Sequence, residues 1–214
     1  MTVLSQVFKE VTPALAALGY KKTGNTYRLT ADNNDQALIN FQLSDASGED
    51  VIFYVNVAIV PQTQSEVLNF ILQRSKALPS YEEGIFTDRV WPPEDFQYDN
   101  HSRFRDQRWQ ISEGNANRCG TTLAETLTRD VCPLLLRLLN RRELLGYLNV
   151  PKDEKPFRAD PSTRSTVVLL IDEGGPDLEA ALSEYKQAEG RNRFVEWAEQ
   201  RLQLASPGSG SDAI

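Results

Sequence analysis

The stretch QALINFQLSDASGEDVIFYVNVAIV, residues 36–60, decides the fold. In Gln36–Ser44 the residues Ala37, Ile39, Phe41 and Leu43 point one way, and Gln36, Leu38, Asn40, Gln42 and Ser44 the other. In Val51–Val60 one face carries Val51, Phe53, Val55, Val57 and Ile59, and the other Ile52, Tyr54, Asn56, Ala58 and Val60. Their β-branched and aromatic content marks both as strands, and Asp45-Ala46-Ser47-Gly48-Glu49 between them suits a hairpin. With Ser44 opposite Asp50, Phe41 faces Phe53 and Asn40 faces Tyr54, because directly opposed residues of an antiparallel pair share a face. The apolar face is expected to pack on helices. The second face gathers Asn40, Gln42, Tyr54 and Asn56, amides and a phenol that form a candidate site for a peptide or polar small ligand. A solvated or internally bonded face is the structural alternative.

Outward from the hairpin, Val3, Leu4, Val7, Phe8, Val11, Leu15 and Leu18 recur at helical spacing, with Pro13 inside the pattern and Gly19 ending it. Gly24-Asn25 suits a turn before a short strand, Thr26–Thr30. Pro61 stops the strand before it. A helix over Ser65–Lys76 is expected, then an ordered loop over Leu78–Asn100, then a fourth strand over Arg103–Ser112 with a break near Arg105-Asp106-Gln107. Leu123, Leu127, Val131, Leu134, Leu135 and Leu138 predict a long helix over Thr121–Asn140, followed by a short one over Glu143–Leu148. The class is α+β: an antiparallel sheet of about four or five strands packed on helices.

Asn149–Arg164 is rich in Pro and charge and is read as a linker. Thr166–Asp172 (TVVLLID) is read as a buried strand, and Gly174-Gly175-Pro176-Asp177 opens a helix with Pro in its first turn. Gly190 breaks that helix before a second segment carrying Phe194, Trp197, Ala198 and Leu202. The expected organisation is therefore a domain over 1–148, a linker over 149–164, a strand–helix extension over 165–205 and a disordered tail over 206–214.

The chain of 214 residues carries 23 Lys plus Arg against 30 Asp plus Glu, a net charge of −7. That balance argues against general nucleic-acid or anionic-membrane binding, which needs a basic face. No apolar run is long enough to span a membrane, and the N-terminus lacks the pattern of a secretory signal, so a cytoplasmic protein is expected. The single histidine, His101, precludes a multi-histidine metal site. If helical, the chain between Cys119 and Cys132 separates them by roughly 20 Å, beyond disulfide reach, so both are read as free thiols.

Leu18-Gly19-Tyr20-Lys21-Lys22 leading to Asn25-Thr26-Tyr27-Arg28, the strand segments Ile39-Asn40-Phe41-Gln42 and Phe53-Tyr54-Val55-Asn56-Val57, and His101-Ser102-Arg103-Phe104 before Arg108-Trp109 together resemble a bacterial family, domain of unknown function 4304. The helix near Pro133-Leu134-Leu135 resembles its closing helix, so the resemblance covers about residues 1–148. It implies an α+β fold and brings no catalytic residues.

Two further clusters are candidates. Arg103, Arg105, Arg108 and Trp109 combine cations with an aromatic ring, a chemistry suited to phosphate, carboxylate or a base, with Arg103 and Trp109 the named ligand-binding candidates. Nearby Glu94, Asp95, Asp99 and Asp106 offer local ion pairs instead, and core packing is the alternative for Trp109. The acids Glu82, Glu83, Asp88, Glu94, Asp95 and Asp99 would suit a carboxylate hydrolase or a hard cation, yet their spacing follows no calcium-loop pattern. No phosphate loop, dinucleotide fingerprint, nucleophile elbow or zinc-helix motif is present. The expectation is a non-enzymatic binding protein without metal or cofactor. One version is an immunity- or antitoxin-like protein facing a basic protein partner, since complementary charge speeds association. A hydrolase using the loop carboxylates and a dimer built on the C-terminal helices are the alternatives.

Overall fold

The computed structural model describes residues 2–46, 48–98, 106–155 and 162–205. Ser47, Asp99, His101, Arg103, Phe104, Arg105 and the segment 206–214, all singled out above, lie outside the described residues.

Helix α1, Val3–Ala17, buries Leu4, Val7, Val11 and Leu15, one stripe at spacings of three and four. It gives way at Gly19, whose φ of +88° suits glycine. Six strands follow among the described residues: β1 Lys21–Thr23, β2 Thr26–Thr30, β3 Gln36–Leu43, β4 Val51–Val60, β5 Phe86–Arg89 and β6 Trp109–Ile111. They run β1-β2-β3-β4-β5, with β6 also on β4, and every pairing is antiparallel. The α+β class read from the alternation is the class of the fold. Two of the strands, β1 and β5, lie where no strand was expected. β1 is the exposed Lys21-Lys22-Thr23, which has no apolar face to announce it. β5 falls inside the segment read as a loop, which also holds the single turns Tyr81–Glu83 and Glu94–Phe96.

The hairpin register differs from the expected one by two residues. Asn40 lies opposite Asn56, Gln42 opposite Tyr54 and Leu43 opposite Phe53, and the Ser44 N–H donates to the Ile52 carbonyl at 2.8 Å. The loop is thus longer than a pairing of Ser44 with Asp50 would give. A shift of two preserves the side-chain faces, whereas a shift of one would have exchanged them.

On the apolar face an aromatic row crosses the sheet. Phe8 of α1 meets Phe41 at 5.0 Å between centroids, Phe41 meets Phe53 at 5.9 Å, Phe53 meets Trp109 at 6.2 Å and Trp109 meets Phe96 at 6.3 Å. Helix α3, Ala116–Thr126, packs beside α1 and continues through a π turn, Leu127–Val131, into α4, Cys132–Leu138. Pro133 accounts for the wide turn: it has no N–H to give to the carbonyl four residues back, and its ring needs room there. Helix α5, Arg141–Leu148, is capped by Asn140, whose Oδ1 accepts from the N–H groups of Arg142 (2.9 Å) and Glu143 (3.2 Å).

The chain divides into two compact units, Met1–Gln62 with Ser80–Asp160, and Thr63–Pro79 with Pro161–Ile214. The segment read as a linker holds the turn Lys152–Glu154 and a buried Lys155, whose ammonium donates to the carbonyls of Tyr147 (3.3 Å) and Leu148 (3.2 Å) at the end of α5.

The second unit is helical. It contains all but the first residue of α2 (Gln62–Ile71), with α6 Thr163–Leu170, α7 Pro176–Glu189 and α8 Arg193–Ala205. Thr166–Asp172 is therefore not a strand: most of it lies in α6, where Val167, Val168, Leu169 and Leu170 are all buried. An element buried on every side shows no period, and β-branched content alone misassigns it. Its Ser162 cap, which accepts from the Ser165 N–H at 3.0 Å, was the overlooked helical signal. Thr63 Oγ1 donates to the Val168 carbonyl at 3.0 Å, and Arg201 joins Glu66 of α2 to Asp172.

Candidate ligand-binding site on the polar sheet face

The face opposite the aromatic row divides in two. Leu38, Ala58 and Val60 form a small apolar cluster covered by Tyr81. Beside it the side chains are polar and bonded to one another. Asn40 Nδ2 donates to Thr26 Oγ1 at 2.8 Å. Asn56 Nδ2 lies 3.3 Å from Asn40 Oδ1 and 3.1 Å from Gln42 Oε1, and the Tyr81 hydroxyl donates to the same Gln42 oxygen at 2.8 Å. The four residues named from the alternation, Asn40, Gln42, Tyr54 and Asn56, thus stand on adjacent strands as one patch. Asn56 is 1% exposed and holds its neighbours in place, while Gln42 is open to solvent.

Arg89 completes the patch. β5 places it opposite Asn56. Its guanidinium carbon stands 3.9 Å from the centre of the Tyr54 ring, its Nε donates to Asn56 Oδ1 at 3.2 Å, and its Nη1 donates to Gln107 Oε1 at 3.3 Å. A guanidinium has five N–H donors, so three of them have no partner among the described residues. No carboxylate pairs with Arg89 among those residues either. It lines a pocket of about 240 Å³ together with Asn56, Tyr81, Thr87, Asp88 and Gln107. Burial raises the pKa of the Tyr81 hydroxyl, and nearby Glu82 adds to the rise, so Tyr81 stays protonated and a donor. The Asp88 Oδ1 accepts from the Arg89 backbone N–H at 2.7 Å. The arrangement is one cation, stacked and fixed by neutral amides, with donors left to spare.

The family model described as Domain of unknown function (DUF4304) matches residues 11–136, more than half of the chain. The chain belongs to this family. The DUF4304 region runs from within α1 to α4 and contains every residue of the polar patch. No curated protein and no solved structure matches the chain.

Arg89 escapes sequence reasoning because it sits in a proline- and acid-rich segment whose composition reads as a loop. The alternation of Phe86-Thr87-Asp88-Arg89 was the available signal, and four residues make a weak one. Trp109 is fully buried, stacked between Phe53 and Phe96, and its indole donates to the Val90 carbonyl at 2.9 Å. It belongs to the core and offers no open face to a ligand. Arg108 pairs with Asp106, Nε to Oδ1 at 2.9 Å, and stacks on Tyr98. The loop acids disperse: Glu83 accepts from the Ser80 N–H and Asp95 pairs with Arg118 at 2.8 Å. No group of three or more His, Cys, Asp or Glu among the described residues is placed to hold a metal ion. Among those residues no helix is long and apolar enough to cross a membrane.

Proposed function

We propose that this chain is a non-enzymatic binding protein whose polar sheet face holds a ligand's carboxylate against Arg89. The carrying observation is a guanidinium fixed over Tyr54 in a small pocket, with three donors unused and no carboxylate of its own among the described residues. A planar fork on an aromatic ring suits bidentate carboxylate recognition. The pocket is smaller than one that encloses a whole drug-sized ligand, which favours a single terminal or side-chain carboxylate of a peptide. Gln42, whose amide nitrogen has no partner among the described residues, and the Tyr54 hydroxyl extend the donor surface beyond it. Binding is favoured over turnover because the lining consists of amides, hydroxyls and one fixed cation, with Asp88 engaged by a backbone N–H. Titration of short peptides bearing or lacking carboxylates, against the chain and its Arg89→Gln variant, tests this reading.

The net charge of −7 supports a second contact, with a basic protein partner of the immunity type, through the wider surface. Affinity for such a partner would fall steeply with salt; capture that is indifferent to salt would remove it.

A further inference from the structure

We infer that the helical unit carries a second site, for a small zwitterion of the amino-acid class. A cavity of about 530 Å³ is lined by Ser162, Thr163, Arg164, Tyr185, Ala188 and Glu189. This volume falls in the range of small-molecule sites.

Arg164 is the first observation. Its guanidinium lies over the Phe194 ring, 5.2 Å from the centre. Its Nε and Nη2 are buried and have no hydrogen-bond partner among the described residues. A buried donor without an acceptor is costly, so an acceptor brought to this group is strongly favoured. The second observation is Glu189, which lines the same cavity and forms no ion pair among the described residues. A cation and a carboxylate thus share one cavity, and they do not pair with each other. A ligand carrying both charges satisfies both: its carboxylate meets Arg164 and its ammonium meets Glu189.

The neutral groups fit that orientation. Tyr185 accepts from Asn192 Nδ2 at 3.3 Å, which leaves the phenolic proton available to an acceptor. Ser162 caps α6, so the positive end of that helix lies on the Arg164 side. Glu184, which accepts from Thr163 Oγ1 at 3.1 Å, adds negative charge near the cavity and opposes a doubly charged phosphate.

The test is an NMR titration of the full chain, following the Arg164 Nε–H and the Tyr185 ring. The probes are glycine, L-leucine and 6-aminohexanoate, with acetate, butylammonium and inorganic phosphate as singly featured controls. The expected result is saturable shifts with at least one zwitterion, and about tenfold or greater loss of affinity in both Arg164→Gln and Glu189→Gln. Glu189 is exposed, so its variant keeps the test sound if Arg164→Gln fails to fold. Acetate or phosphate binding as tightly as every zwitterion, an unchanged affinity in Glu189→Gln, or no saturable shift with any probe would overturn the inference.

Discussion

Arg141 and Asp35 form two parallel hydrogen bonds, Nε to Oδ2 and Nη2 to Oδ1, both 2.8 Å long. Asp35 is 1% exposed and also accepts from the Gln62 N–H at 2.8 Å. The pair fixes the turn between β2 and β3 to the start of α5, and so sets the strand that carries Asn40 and Gln42. Removing one partner leaves a buried charge, an effect of about 3–5 kcal/mol. Arg141→Met is expected to lose that much in urea unfolding. Adding Asp35→Asn, which removes the stranded charge, is expected to restore part of the loss, and an unchanged midpoint in the single variant would contradict the assignment.

Gly120 lets α1 and α3 approach. A Cβ there would stand 3.1 Å from the Val7 Cα and 3.0 Å from the Glu10 Cγ. The Glu10 Cγ can swing aside, but the Glu10 Cβ, also 3.1 Å away, and the Val7 backbone cannot. Gly120→Ala is therefore expected to cost about 1–3 kcal/mol despite the better helix propensity of Ala. Thermal unfolding measures it, and a raised Tm would contradict the close approach.

Burial pushes the Cys119 thiol from an ordinary 9.0 to about 12 and that of Cys132 to about 11. The same cause raises the buried Tyr20 phenol. Groups held protonated in the fold contribute fully below their unfolded pKa, and that contribution is lost as pH rises through the folded value. Stability is thus expected to be flat with respect to these groups up to about pH 9 and to decline above it. At pH 8 both thiols should react with a disulfide reagent only after unfolding. Rapid labelling of the folded chain would contradict this.

The legible part of the fold was the part with a period. Gln36–Val60 announced two strands and their faces, and the patch of Asn40, Gln42, Tyr54 and Asn56 follows from that parity. The register was not legible, because loop length sets it and the loop Asp45–Asp50 holds no tight two-residue turn signal. Thr166–Asp172 was misread because burial on all sides erases periodicity. Arg89 was hidden for a different reason: its role comes from long-range pairing of β5 with β4, which a four-residue strand does not advertise. Trp109 was named with its sequence neighbours Arg103 and Arg108, but the pairing of β6 turns its ring into the core.

The most direct test of the central claim is a titration of acetyl-Ala-Glu-Ala with a free C-terminus, and of its neutral counterpart acetyl-Ala-Gln-Ala-amide, into the chain. The Arg89 Nε–H, the Tyr54 ring and the Gln42 amide would be followed by NMR. The account predicts saturable shifts with the charged peptide alone, weakened about tenfold or more by Arg89→Gln and also by Arg89→Lys, which keeps the charge but loses the planar fork. Equal binding of the two peptides, or an affinity untouched by Arg89→Gln, would contradict it.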